Sequence, residues 1–175
     1  HSLTFEPWIV ADTNLSHLFG SCSSLESLDI RCLNTAFIQD MSYMFEGCNN
    51  LTDLNLSWLY TYKVKNMSGM FKNCQALTSL DLSGFDTSNV TNMHQMFGNC
   101  SSLTSLNISA FNTEKTGRMD YMFAGCESLK TLNLSSFATA NVTDMEGMFH
   151  SCNSLESLDL SGFNISNVTD MKGMF

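Results

Sequence analysis

The chain has 175 residues, 43% of them hydrophobic, which is enough for one folded domain and excludes an intrinsically disordered one. Its formal charge of -9, with only eight Lys and Arg in all, excludes a nucleic-acid-binding surface, which needs clustered cations, and anionic membranes are disfavoured likewise. A single proline (Pro7) and the absence of any Ser/Gly-rich stretch leave no linker, and no run approaches the roughly 18 apolar residues of a membrane span, so this segment does not insert into one.

In chain order, residues 1–14 come first. HSLTFEPWIV lacks the basic start and apolar core of a signal peptide. Phe5, Trp8, Ile9 and Val10 suit a cap that shields the open edge of the first repeat of the domain beginning at residue 15. His1 reads as a tag remnant and Phe175 stands in mid-repeat, so we expect a fragment of a longer protein whose targeting and anchoring signals lie outside it.

Residues 15–175 are a repeat domain. Cys22, Cys48, Cys74, Cys100, Cys126 and Cys152 are spaced by 26 residues, as are the phenylalanines from Phe19 to Phe175, most of them preceded by a methionine. Written from the cysteine, the unit is CxxLxxLxLSxFxTxxVTxMxxMFxx. Its LxxLxL segment alternates: Leu80 and Leu82 point inward while Ser79, Asp81 and Ser83 point out, which predicts a one-sided strand. Val90, Met93, Met96 and Phe97 recur at spacings of three, three and one, which predicts a short helical stripe behind Thr/Asn-type caps. Parallel strands pair about 4.8 Å apart while helices need roughly twice that, so the stack should curve, with the sheet concave.

The LxxLxL segment is the leucine-rich-repeat strand signature. The stretches LTSLDLSGFDTSNVTNMHQMFGNC and LESLDLSGFNISNVTDMKGMF resemble, almost verbatim, the BspA-like leucine-rich-repeat family of bacterial surface proteins, over about residues 15–175. The resemblance implies an α/β, right-handed solenoid with a parallel concave sheet and short convex helices. It also implies an extracellular, surface-attached protein used for attachment to host or neighbouring-cell molecules. It carries over no catalytic residues. Phe85, Phe111, Phe137 and Phe163 stand where the commonest leucine-rich repeats place an asparagine ladder, so a phenylalanine spine is expected instead.

Chemistry-bearing residues must be weighed against this packing. No CxxC occurs, and each laddered cysteine closes a helical stripe and precedes a core leucine. The column therefore reads as small buried free thiols rather than disulfides or zinc ligands; Cys32, off the ladder, is expected to be more oxidisable. The Met/Phe stripe recurs too regularly to be a cofactor box, and no cofactor or metal is expected. His17, His94 and His150 occupy three different slots and read as surface residues. No Ser/His/Asp set converges, so the chain is not expected to be an enzyme. Triplets such as Asn89-Val90-Thr91 and Asn107-Ile108-Ser109 come from the repeat, not from selection for glycosylation.

Two features remain as candidate binding sites for a protein or glycan. One is the outward column Asp29, Asn55, Asp81, Asn107, Asn133 and Asp159, in which no two aspartates adjoin; it reads as a docking strip or as an ordinary solvated strand face. The other is the second copy, which has SWLYTYKVKN where the third has SGFDTSNVTN. Trp58, Tyr60 and Tyr62 alternate there, Lys63 and Lys65 come next, and Arg31 lies in the post-strand slot of the preceding copy. Such residues favour interfaces, or merely cover a neighbouring loop. A passive spacer is the competing role for the whole domain, and end-to-end self-association is a further expectation.

Overall fold

The computed structural model describes residues 2–3, 9–10 and 13–175. Each 26-residue unit forms one coil, stacked in register on the next. Short strands make one face: β1 (Ser2–Leu3), β3 (Ser27–Leu28) and β5 (Asp53–Leu54) pair in parallel, as do β6 (Ser79–Asp81) and β7 (Ser105–Asn107). Beside them β2 (Ile9–Val10) pairs with β4 (Leu33–Asn34). Pairing is offset by 26 residues from β3 to β5 and from β6 to β7, so every column of side chains is one slot of the repeat. The capping expected of Phe5, Trp8, Ile9 and Val10 side chains lies outside the described residues, although the backbone of β1 and β2 pairs with the first repeat.

Within a coil the alternation read from sequence decides burial. Leu77, Leu80 and Leu82 are inside while Ser79, Asp81 and Ser83 are exposed. Phe85, Val90, Met93, Met96, Phe97 and Cys100 complete the core of that coil. From Phe19 to Phe175 the seven phenylalanines stack ring on ring, with centroids 5.5–5.9 Å apart, the offset arrangement that aromatic rings favour. The expected spine is a second column, buried at Phe85, Phe111 and Phe137 and half-buried at Phe163, with Phe111 and Phe137 stacked at 6.3 Å.

The Met-rich side is not helical; among the described residues there is no helix at all. The three-three-one spacing instead marks consecutive tight turns. Glu46 N–H donates to Tyr43 O and Cys48 N–H to Phe45 O, both three residues back, whereas a helix would reach back four. The intervening N–H groups leave the coil altogether: Tyr43 donates to Ser68 O (2.8 Å), Phe45 to Met70 O (2.9 Å) and Gly47 to Lys72 O (2.8 Å). Two slots per coil adopt positive φ to allow this, such as Tyr43 and Gly47, or Gln95 and Asn99. The turn side is therefore hydrogen-bonded coil to coil, as the strand side is. Curvature was expected from a helix-wide back, and with no helix there that reason for it is absent.

The polar duty of an asparagine ladder falls on a buried threonine column. The Thr87 hydroxyl accepts from Asn112 N–H and donates to Asn112 O, both at 2.8 Å. Thr61 serves Asp86 in the same way, Thr113 serves Ala138 and Thr139 serves Asn164. A hydroxyl that both donates and accepts satisfies two backbone groups of the next coil at once.

Candidate functional site

Asx turns build the corners of each coil. In the strand-face column, the Oδ1 atoms of Asp29, Asn55, Asp81, Asn107, Asn133 and Asp159 each accept the N–H two residues on, which turns the chain at the end of the strand. Asn55 and Asn107 take the hydroxyls of Ser57 and Ser109 as well, so the N-x-S pattern is corner geometry. Asn107 also donates to Asp81 (2.9 Å), linking adjacent coils. These bonds hold the Asp81 carboxyl below its usual range through Ser83 N–H, and Asp159 through Ser161. The column thus spends much of its hydrogen-bonding capacity internally. It borders shallow depressions, one of about 390 Å³ lined by Asn55, Ser57, Asp81 and Phe85 among others.

Arg31 belongs to this column and not to the aromatic loop. Its guanidinium clasps Asp29, with Nε 2.9 Å from Oδ1 and Nη2 on Oδ2, and the Arg31 hydrogen bonds bring the Asp29 carboxyl down to about 2. Both groups remain solvent-exposed.

The second repeat carries the exposed rings. Leu59 and Thr61 are buried, while the residues between and on either side of them face out: Trp58 is 55%, Tyr60 61% and Tyr62 41% exposed. The segment is pinned on both sides, since Tyr60 N–H donates to the Thr35 hydroxyl (2.8 Å), the Thr61 hydroxyl to Asp86 O, and Asn89 Nδ2 to Tyr62 O (2.8 Å). A preordered platform results. Phe37, 57% exposed on the preceding coil, extends it, with the Lys63 ammonium 4.4 Å above its ring and 5.7 Å from the Tyr62 centroid, a cation–π arrangement. Lys65 is exposed on the same coil. Sequence reasoning missed Phe37, although its slot holds Asn89, Asn141 and Asn167 in later copies, a break from pattern as plain as that at Trp58.

The cysteine column is internal. The thiols of Cys48, Cys74, Cys100, Cys126 and Cys152 each donate to the carbonyl 29 residues back, at 3.1–3.3 Å. Burial pushes the Cys48 and Cys152 thiols up to about 11, and Cys74, Cys100 and Cys126 higher still. Cys22 and Cys32 are half-buried, and all seven are unbridged.

On the turn side His94, read as a surface residue, is half-buried in a polar cluster. His94 Nδ1 meets Oδ2 of buried Asp120, which also takes Arg118 Nη2 (2.9 Å), while Arg118 reaches Asp144 at 3.8 Å. Next to it Tyr121 OH donates to Glu146 Oε1 at 2.6 Å, which raises the phenol to about 12. The signal was two adjoining slots that turn ionic together, His94–Asp120–Glu146 and Arg118–Asp144. His17 stacks on Tyr43, with centroids 4.9 Å apart.

Among the described residues no group of three His, Cys, Asp or Glu is placed to hold a metal ion, and no helix is long and apolar enough to cross a membrane. Residues 13–131 and 104–175 match the family described as "Mycoplasma protein of unknown function, DUF285". No curated protein matches the sequence. Similar solved structures include a T. pallidum leucine-rich-repeat protein (19% identity, TM-score 0.46, covering 85% of this chain and 71% of that one). Leucine-rich-repeat proteins from Bacteroides ovatus (21%, 0.42, 80% and 38%) and Eubacterium ventriosum (18%, 0.46, 87% and 40%) are also similar. The chain spans less than half the length of the latter two.

Proposed function

The chain belongs to the DUF285 repeat family, whose BspA-like leucine-rich repeats it carries, and from that premise we propose that it is a non-catalytic binding module of a bacterial cell-surface protein. It acts outside the cell, attaching to a protein or glycan of a host or neighbouring cell. The platform of Phe37, Trp58, Tyr60 and Tyr62 makes the principal contact, and the strand-face column from Asp29 to Asp159 is its polar margin.

The observation that carries this reading is that the large exposed rings among the described residues, apart from Phe175 at the end of the phenylalanine stack, gather on two adjoining coils. In later coils the Trp58 slot holds Gly84, Ala110, Ser136 and Gly162, and the Tyr60 slot Asp86, Asn112, Ala138 and Asn164. A stack that needed only to fold would fill those slots alike. Exposed aromatic side chains cost solubility and, on a rigid support, bind with little loss of conformational freedom. The test is adhesion to cells of beads coated with the protein. Trp58→Ala/Tyr60→Ala/Tyr62→Ala should lower adhesion by about tenfold or more with an unchanged urea midpoint. Full adhesion by a folded triple variant would instead favour a passive spacer.

A further inference from the structure

On the turn side, apart from the aromatic platform, we propose that the notch floored by Gly98, Ala124 and Gly125 is a binding site for a single neutral sugar residue.

The notch exists because one slot breaks its pattern. Just after the stacked phenylalanines that slot reads Gly20, Glu46, Lys72, Gly98, Ala124 and His150, so two small residues stand in a row between two long side chains. The result is a hollow of about 290 Å³, with Lys72 toward one end, His150 toward the other, and Gln95, Asn99, Tyr121, Glu127 and Ser151 around it. Its volume falls just under the roughly 300–1,000 Å³ of small-molecule pockets, which suits one six-membered ring and neither an oligosaccharide nor a peptide segment.

The groups that line it are largely unspent. The side chains of Gln95, Glu127, His150 and Ser151 form no hydrogen bond or ion pair with any described residue. Asn99 gives its Nδ2 to Asn73 (3.0 Å) and keeps Oδ1 over Gly125, where a Cβ would collide with it. Lys72 is already answered by Glu46 on the coil before, at 3.6 Å. What remains is a set of amide, imidazole, hydroxyl and carboxylate groups that includes both donors and acceptors. A hydroxyl donates and accepts alike, so a neutral ligand carrying several of them satisfies these groups together. A lone anion meets Glu127, and a lone cation meets Lys72. Tyr121, whose OH is held by Glu146 at 2.6 Å, adds an aromatic wall for the C–H face of the sugar.

NMR titration of the whole protein tests this with methyl glucoside, methyl galactoside and methyl mannoside, and with two charged sugars of the same ring size, glucuronate and glucosamine. At least one neutral hexoside should shift the Gln95 and Asn99 side-chain amides, with a Kd on the order of 1–10 mM, about fivefold or more tighter than either charged sugar. Ala124→Lys repeats the residue that Lys72 places in the same slot, so it fills the notch with a side chain the coil already accepts. It should abolish the shifts and leave the urea midpoint unchanged. Glu127→Ala/His150→Ala, at two exposed positions, should weaken binding about tenfold. Trp58→Ala/Tyr60→Ala/Tyr62→Ala should leave it as in wild type, which separates this site from the platform. No shift with any neutral hexoside at about 100 mM, equal or tighter binding of a charged sugar, or shifts that survive both Ala124→Lys and Glu127→Ala/His150→Ala overturn the proposal. Shifts that vanish in the aromatic triple variant overturn it too.

Discussion

Replacing Thr87 by valine keeps the shape of the side chain and removes one oxygen. That oxygen is fully buried and serves both the N–H and the carbonyl of Asn112 at 2.8 Å. Each stranded backbone group costs about 1–3 kcal/mol when water cannot replace the partner. Asn112 sits at an exposed position, so solvent recovers part of this, and we expect Thr87→Val to destabilise the domain by roughly 2–4 kcal/mol. Thr87→Ser keeps the hydroxyl and removes a methyl group, a loss of roughly 1 kcal/mol. Urea unfolding followed by circular dichroism measures both midpoints. Valine should therefore be the worse substitute, although it is the more hydrophobic. If Thr87→Val unfolds at or above the wild-type midpoint while Thr87→Ser falls well below it, the column is apolar packing and the hydrogen-bond account is wrong.

The buried thiols predict alkaline lability. In the unfolded chain they ionise near the ordinary value of 9.0, and in the fold Cys48 and Cys152 do so only at about 11. Unfolding therefore releases protons between these values, and the thiols' contribution, complete below pH 9, is lost as pH rises toward 11. The urea midpoint should fall across that window, and less steeply in Cys100→Ala than in wild type; equal slopes would refute the assignment. Gly147 has φ +56, and a Cβ there would lie 2.4 Å from the Tyr121 ring. Gly147→Ala should cost about 1–3 kcal/mol in the same assay, from backbone strain plus crowding. Combining it with Tyr121→Ala should recover only the crowding part, and strict additivity would show that the ring is not in the way.

Legibility in the sequence tracked the physics of each slot. The strand side was readable because a period of two has one interpretation when Leu alternates with Ser and Asp. Along the turn side, Val90, Met93, Met96 and Phe97 have the spacing of a helical face, and the N–H groups that go to the next coil leave no mark on apolar side chains. One clue was present: the slot of Gly47, Asn73, Asn99 and Gly125 holds the residues most tolerant of positive φ. The matching slot mixes Gly69, Gly147 and Gly173 with Tyr43, Gln95 and Tyr121, which tolerate it poorly and blur the signal. Thr87 and its equivalents were in the consensus, but a hydroxyl's partner 25 residues away cannot be read from one copy. The exposed loop was found because Trp58, Tyr60 and Tyr62 break pattern together. Phe37 escaped because it stands beside Ile38, a core position, and reads as an extra core residue. Arg31 was placed with the rings by slot alone, and its geometry gives it to Asp29.

The most direct measurement is binding by a variant in which the second repeat is returned to the sequence of the third. Trp58→Gly, Leu59→Phe, Tyr60→Asp, Tyr62→Ser and Lys63→Asn convert SWLYTYKVKN toward SGFDTSNVTN, whose coil this protein already folds. The account predicts a protein with the wild-type circular dichroism spectrum and at least the wild-type urea midpoint that no longer adheres to cells. Adhesion undiminished in that folded variant would contradict the claim that recognition resides where the repeat is broken.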